Sequence, residues 1–378
     1  MSERRLAVLL SFSGAGGVER MVLNLLPWFV DQGVRVDLLA IRAHAAPSNS
    51  IPLNVRLIDL KAEHNITAVP AIVAYLRGYE ARRRRTAASD LPPLVMLAAK
   101  DRAIRAAVRA RKRAGVDIRL VGRLGTNLSE ALAHKHPLQR WFRCLPLQRA
   151  YAQVDHVVAV SAGVAEDTAK LTGLPRERIS VIRNPVVTPR MQALAQAPVP
   201  DWFTAGGAPV ILGAGRLTEQ KDFATLLRAF AIVRGQRPVR LVILGDGGKR
   251  AALTALAQEL GVSAAVSMPG YVDNPYAYMA RAQLFVLSSR WEGSPNVLTE
   301  ALALGTPVVA TDCPSGPREI LRGGEVAPLV PVGDVQALAQ AMLGALDRPS
   351  PPELLRAAAS EYTQAASGQR YLEILGLT

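Results

Sequence analysis

Residues 284–311 leave this chain few architectures. Leu284–Ser288 is a short apolar run, and Val308-Val309-Ala310 is a second, each of a length and composition suited to a strand buried on both faces. Between them lies Arg290-Trp-Glu-Gly-Ser-Pro-Asn-Val-Leu-Thr-Glu300, a polar loop that turns into an apolar helical stretch. Ser294 suits the helix N-cap and Pro295 the first helical position, where its missing N–H is not needed. Gly305 suits the left-handed C-terminal cap. A strand, a helix and a strand in this order predict parallel neighbours in one sheet. The free N–H groups at the start of the helix, with the positive end of its dipole, make a place for an anion such as diphosphate. Glu292 stands in the loop before it and Glu300 inside it, and a carboxylate is a pure acceptor that can hold sugar or ribose hydroxyls.

The same alternation runs through the chain. Apolar strands are predicted at 5–11, 34–41, 55–60, 94–98, 118–122, 156–161 and 179–184, with helical stretches between several of them, such as 66–85 and the one that follows 94–98 to about 113. After an Ala/Pro/Gly-rich stretch at 191–208, read as a linker, strands follow at 209–215, 239–245, 265–269, 284–288 and 308–311. Strands and helices of these lengths form parallel sheets whose ligands collect at the C-terminal strand ends. At 378 residues the chain has room for two such domains.

Charge divides the chain unevenly. Residues 1–200 carry 30 Lys/Arg against 15 Asp/Glu, whereas residues 201–378 carry 15 against 16. A basic half joined to a neutral half predicts two different jobs, with anionic membrane and nucleic acid as candidate partners for the basic one. Arg102, Arg105 and Arg109 fall at helical spacing on one face, and Arg140-Trp141-Phe142-Arg143 mixes cationic with aromatic groups, as a membrane-docking surface would. The basic half has no helix-turn-helix or stacking-aromatic pattern, which weighs against nucleic acid. No apolar run approaches the roughly 20 residues that span a bilayer. The first residues read directly into a strand with no signal-peptide pattern, and Cys144 and Cys313 lack metal spacing, so a cytoplasmic setting is expected.

Two more segments carry candidate chemistry. Gly213-Ala-Gly-Arg-Leu-Thr-Glu-Gln-Lys-Asp222 places Arg216 and Lys221 between a strand and a helix, where two cations can flank a diphosphate and stabilise the charge that grows as it leaves. Ser13-Gly-Ala-Gly-Gly-Val-Glu19 opens a helix with a glycine turn, and Gly16 and Gly17 let backbone approach a phosphate or sugar closely. It misses the dinucleotide fingerprint, because Glu19 stands where the third glycine would be.

Glu292-x7-Glu300 with the GTPVVAT strand after it resembles the donor signature of the retaining glycosyltransferases of family 4, and the GGVE wording resembles their first loop. The resemblance implies the GT-B fold: α/β, two Rossmann-like doubly wound parallel-sheet domains facing a central cleft. It divides the chain into an acceptor-side domain at 1–190, a nucleotide-sugar domain at 209–350, and a C-terminal segment at 351–378, helical from about 353 to 375, that crosses back to the first domain. It implies that Arg216 and Lys221 serve the diphosphate, that Glu300 receives ribose hydroxyls, and that Glu292 contacts the donor sugar or its phosphate loop. Ser294 and the amides of Asn296, Val297 and Leu298 complete the donor site, with Tyr271 and Val272 at the base. On the acceptor side stand Glu19 and, where the family usually presents a His, Arg123 with Asn127 nearby, a purely structural arginine being the equal alternative for Arg123. No Asp-x-Asp occurs, the pair that holds a metal in the other large glycosyltransferase fold. The implied reaction is a metal-independent retaining transfer with no cofactor, from a nucleotide sugar (a UDP-sugar above all) to a lipid-linked or growing glycan at the inner membrane face. A sugar-nucleotide epimerase or a glycan phosphorylase on the same fold is the alternative enzyme reading, and a basic nucleic-acid-binding protein the non-enzyme one.

Overall fold

A computed structural model describes residues 4–14, 16–46, 51–85, 91–129, 137–204 and 207–378, without the side chains of 137–143 and 204. Among these residues the strand pairings are all parallel, in two sheets. The first holds β1 (Arg5–Ser11), β2 (Arg35–Ile41), β3 (Arg56–Asp59), β4 (Val95–Ala99), β5 (Arg119–Leu124), β6 (His156–Ala159) and β7 (Ile179–Val181), in the order β3-β2-β1-β4-β5-β6-β7. The second holds β8 (Val210–Ala214), β9 (Arg240–Leu244), β10 (Val266–Gly270), β11 (Leu284–Leu287), β12 (Val308–Thr311) and β13 (Leu329–Val330), in the order β10-β9-β8-β11-β12-β13.

The unbroken apolar strands make sense in this setting, because both faces of each sheet are covered by helices. Along β1 the side chains divide by parity: Ala7 and Leu9 enter one core, while Leu6, Val8 and Leu10 enter the other. The first core is shared with the helices Val69–Arg85 and Asp101–Ala114. The second is shared with Gly17–Asp31 and with the last helix, Gln364–Leu375, through Tyr371, Leu372 and Leu375. In the other sheet, Phe223, Leu226, Leu227 and Phe230 cover Ile211, Leu241 and Ile243.

The chain accordingly forms two compact units, Met1–Pro185 with Gln364–Thr378, and Val186–Thr363. Two readings change here. The stretch taken as a linker holds the helices Pro189–Ala195 and Asp201–Thr204; Thr188 caps the first, its hydroxyl accepting from Met191 N at 3.1 Å. The single helix predicted at about 353–375 is two, Pro352–Ala358 and Gln364–Leu375. Between them Tyr362 O accepts from both Val186 N and Val187 N at 2.9 Å, and Thr363 is extended, so the chain between the helices is used as an edge and cannot coil. Only the second helix joins the first unit.

Candidate active site

Each sheet reverses its strand order once, between β1 and β4 and between β8 and β11. The crevice at such a reversal is where open parallel sheets take ligands.

In the second unit the loops leaving β8 and β9 are bonded to one another. Leu217 N donates to Asp246 O, and Lys249 N donates to Leu217 O, both at 3.0 Å. Gly245, at φ 129°, has no room for a side chain, since a Cβ there would lie 2.0 Å from Gly215 O. A 3-10 turn, Glu219–Lys221, then leads into the helix Phe223–Gln236. The loop leaving β11 is tied to that turn at several points. Ser288 Oγ donates to Lys221 O (2.8 Å), Arg290 N to Gln220 O (2.8 Å), Gln220 Nε2 to Trp291 O (2.9 Å), and Arg290 Nε to Asp222 Oδ2 (3.1 Å). Within this weave Lys221 Nζ lies 2.5 Å from Glu292 Oε1, which also accepts from Ser289 Oγ at 2.7 Å. The lysine side chain is 16% exposed and the glutamate 8%. Cys313 is buried beside them; burial first, then the Glu292 charge, pushes its thiol up to about 12, against the opposing effect of Lys221. Arg216 stands on the same loop with its side chain exposed, and Glu292 pairs with Lys221 instead.

The helix after this loop is Asn296–Leu304, one residue shorter at its start than the spacing predicts. Pro295, not Ser294, is the cap residue, because Pro295 O accepts the first helical bonds from Leu298 N (3.1 Å) and Thr299 N (3.3 Å). Its ring abuts Gly316, at φ 90°, where a Cβ would fall 2.6 Å from Pro295 Cδ. Pro295 makes no side-chain cap bond at this terminus, which suits an anion site. Asn296 and Val297 are half-buried and Leu298 and Glu300 are buried, while Gly305 takes the left-handed C-terminal position at φ 78°. Tyr271, 64% exposed, and the half-buried Val272 follow Gly270, whose carbonyl accepts from Gly245 N at 2.8 Å.

In the first unit the helix Gly17–Asp31 begins at Gly17, with Gly16 as a cap that makes no side-chain bond. Glu19, in its first turn, is 2% exposed, and its Oε1 accepts from Ser13 Oγ at 2.5 Å and Lys100 Nζ at 2.7 Å. Burial raises this carboxyl, but the bonds from Lys100 and Ser13 and the lysine charge outweigh it and hold Glu19 below the ordinary glutamate range. Lys100 Nζ also donates to Ser11 O (2.9 Å), and its backbone takes φ 79°, ψ 146°, a region that side chains other than glycine avoid. The sequence reading missed Lys100 and Ser289; the available signal was that each directly follows, or nearly follows, an apolar strand at the reversal of its sheet.

Arg123 departs from its assigned place. The strand β5 runs to Leu124, so Arg123 lies inside the sheet, paired with Ala99 and Val158, instead of after its end. It is 1% exposed, donates through Nη2 to Asn184 Oδ1 at 2.6 Å, and bonds the phenol of Tyr371 from the last helix. An interior clamp replaces the acceptor contact. Asn127 is half-buried in the loop beyond, where the amides of Leu128 and Ser129 donate to Asp167 Oδ2 at 2.5 and 3.1 Å. On the helix Asp101–Ala114, Arg102 and Arg109 are exposed, whereas Arg105 is half-buried and paired with Asp101 at 2.7 Å. Arg140, Trp141, Phe142 and Arg143 fall in the helix Pro137–Tyr151, but their side chains lie outside the described residues.

Comparison with known proteins agrees with this architecture. Residues 15–190 match the family Glycosyltransferase Family 4, and residues 208–348 match Glycosyl transferases group 1. The chain is 38% identical over 192 residues to the lipopolysaccharide core biosynthesis glycosyltransferase LpsE of Rhizobium meliloti, covering 51% of this chain and 54% of that protein. It is 34% identical over 194 residues to the N-acetylgalactosamine-N,N'-diacetylbacillosaminyl-diphospho-undecaprenol 4-alpha-N-acetylgalactosaminyltransferase of Campylobacter jejuni, covering 51% of each. It thus spans about half the length of these curated relatives. Among solved structures, HepE of Anabaena in complex with UDP and glucose superposes with a TM-score of 0.77 at 20% identity over 100% of both chains. The lipopolysaccharide outer core galactosyltransferase WaaB, in its apo form, gives 0.69 at 18% over 99% of both. The chain belongs to the glycosyltransferases of family 4 and group 1, built as two parallel-sheet α/β domains on the GT-B fold.

Proposed function

We infer that this chain transfers a sugar, with retention and without a metal, from a nucleoside-diphosphate donor of the UDP type to a lipid-linked or growing glycan. The observation that carries the reading is the half-hidden Lys221 ammonium at the reversal of the second sheet, beside a loop that leads into a helix whose cap residue, Pro295, makes no side-chain bond. An ammonium and a helix N-terminus are both suited to a diphosphate, and fixed positive groups there offset the charge that develops as it departs. Arg216, exposed on the same loop, adds a second cation. Glu292 and the buried Glu300 supply acceptors for sugar and ribose hydroxyls.

In the proposed reaction the bond from the sugar's anomeric carbon to the phosphate oxygen breaks. A bond to the acceptor oxygen forms on the same face, and the acceptor's proton passes to the departing phosphate oxygen. The protein contributes position and charge. The names of the relatives above, from lipopolysaccharide core synthesis and diphospho-undecaprenol-linked transfer, support a lipid-linked or glycan acceptor. Thermal unfolding against a panel of nucleotide sugars tests the reading. A donor at 100 times its Kd adds about 2.7 kcal/mol, and no stabilisation by any of them would count against it.

Attachment to the inner membrane face is supported by the exposed Arg102, Arg109, Lys112 and Arg113, and by the Arg82–Arg85 run that ends the helix packed alongside. No helix of the described residues is long and apolar enough to cross a membrane. Each surface cation near an anionic leaflet contributes about 1 kcal/mol. Replacing Arg102, Arg109 and Arg113 with Gln should release the protein from anionic liposomes, and wild-type binding that ignores salt would refute electrostatic docking.

A further inference from the structure

Lys221 is already occupied. Its ammonium lies 2.5 Å from Glu292 Oε1, and both side chains are largely withdrawn from water. Arg290, on the loop that carries Glu292, is engaged by Asp222 at 3.1 Å. A diphosphate that takes up the ammonium must therefore compete with a carboxylate for its charge, even though the three N–H groups can reach both. A buried carboxylate deprived of its cation is strongly disfavoured, and the Ser289 hydroxyl, which keeps its bond to the same oxygen, does not replace a charge. The hydroxyls of a donor sugar do what a bare diphosphate cannot, since they donate hydrogen bonds to the carboxylate as the lysine leaves it.

We propose that Glu292 is a specificity-determining counter-ion: it holds Lys221 in the empty site and disfavours any diphosphate that arrives without a sugar. The proposal rests on the donor-site reading above and deepens it. Its consequence is directional. Once the sugar has left, the nucleoside diphosphate has no hydroxyl donors for Glu292, and the lysine–glutamate pair re-forms as the product departs. The same carboxylate thereby favours intact donor over spent nucleotide at one cation.

Calorimetric titration with inorganic pyrophosphate and with UDP separates the possibilities, pyrophosphate being the probe that does not depend on which base the site prefers. Glu292→Gln keeps the side chain's shape and an acceptor for Ser289 while removing the charge. It should bind both probes about tenfold more tightly than wild type, the scale of coupling between close charges. Its turnover with a sugar donor should fall. Lys221→Met should bind both probes at least tenfold more weakly than wild type. If Glu292→Gln does not fold, as judged by its unfolding transition, Glu292→Ala is titrated instead and the same tightening is expected. A folded Glu292 variant that binds the probes no better than wild type, while Lys221→Met still loses them, overturns the counter-ion and leaves the donor site standing. Equal affinity in wild type, Glu292→Gln and Lys221→Met overturns both.

Discussion

The two units place the same pair of residues at the same point of their sheets, with the roles exchanged. In the first, the glutamate follows β1 and the lysine follows β4; in the second, the lysine follows β8 and the glutamate follows β11. Both pairs are close, 2.7 Å for Lys100–Glu19 and 2.5 Å for Lys221–Glu292. Their surroundings differ. Lys100 is held by Glu19 and by the carbonyl of Ser11, on a backbone conformation that a lysine adopts only under constraint. Lys221 has Glu292 for its ammonium on an ordinary 3-10 turn, and the loops around it are fixed through backbone bonds that do not use the ammonium. The first pair thus reads as a lock between two loops, and the second as a contact that a ligand can exchange.

The sharpest break in that comparison is in turnover. Lys221→Ala should lower the rate by roughly 10²–10³-fold, the scale for losing one charge-stabilising donor. Steady-state assays with the donor found by thermal screening measure it, and a near-normal rate in a folded variant would end the assignment. The first pair should act on stability instead. Lys100→Met leaves Glu19 buried without its cation and should cost about 3 kcal/mol in urea unfolding, largely recovered when Glu19→Gln is added. A double variant no more stable than the single would show that the two are not coupled. Acid sharpens the same point. Because Glu19 is held below its ordinary range, its contribution is complete above the unfolded glutamate pKa and disappears as pH falls through the lower folded value. Glu19→Gln should lack that part of the acid-induced loss.

Smaller effects follow from the rest of the second site. Glu300→Gln keeps an acceptor but loses the charge, and should weaken nucleotide binding by about tenfold with the unfolding midpoint retained. Unchanged affinity by calorimetry would remove Glu300 from the site. Smallest of all, iodoacetamide at pH 8 should label the half-buried Cys144 and spare Cys313, whose buried thiol stays protonated up to about 12. Mass spectrometry of the labelled peptides reads this directly, and rapid modification of Cys313 would mean that the Lys221–Glu292 loops open more than described.

Much of this was legible where the determinants are local. The apolar runs announced parallel strands, Gly305 announced the end of its helix, and the cations and carboxylates of the second domain stood out against glycine turns. What could not be read was non-local. The bonds joining Gln220 to Trp291 and Arg290 to Asp222 link residues about seventy positions apart, and nothing in either segment alone requires them. Arg123 was misplaced because β5 continues two residues beyond the point where its apolar pattern stops; a buried arginine partnered by Asn184 and Tyr371 looks, in sequence, like a polar residue just past a strand. Lys100 was invisible because its strained backbone contradicts its own preference, and only the fold supplies the constraint.

The last helix has a consequence for how the chain is made. Tyr371, Leu372, Leu375 and Leu377 complete a core whose other buried members lie before residue 183, and Gly368 packs so closely on Trp28 that a Cβ there would lie 2.1 Å from the indole. During synthesis, domains ordinarily fold as units, the N-terminal one first. Here the domain translated first must keep one apolar face open while the whole of the second is translated and is free to fold. Its assembly waits for residues 364–378, so the order of completion runs opposite to the order of translation.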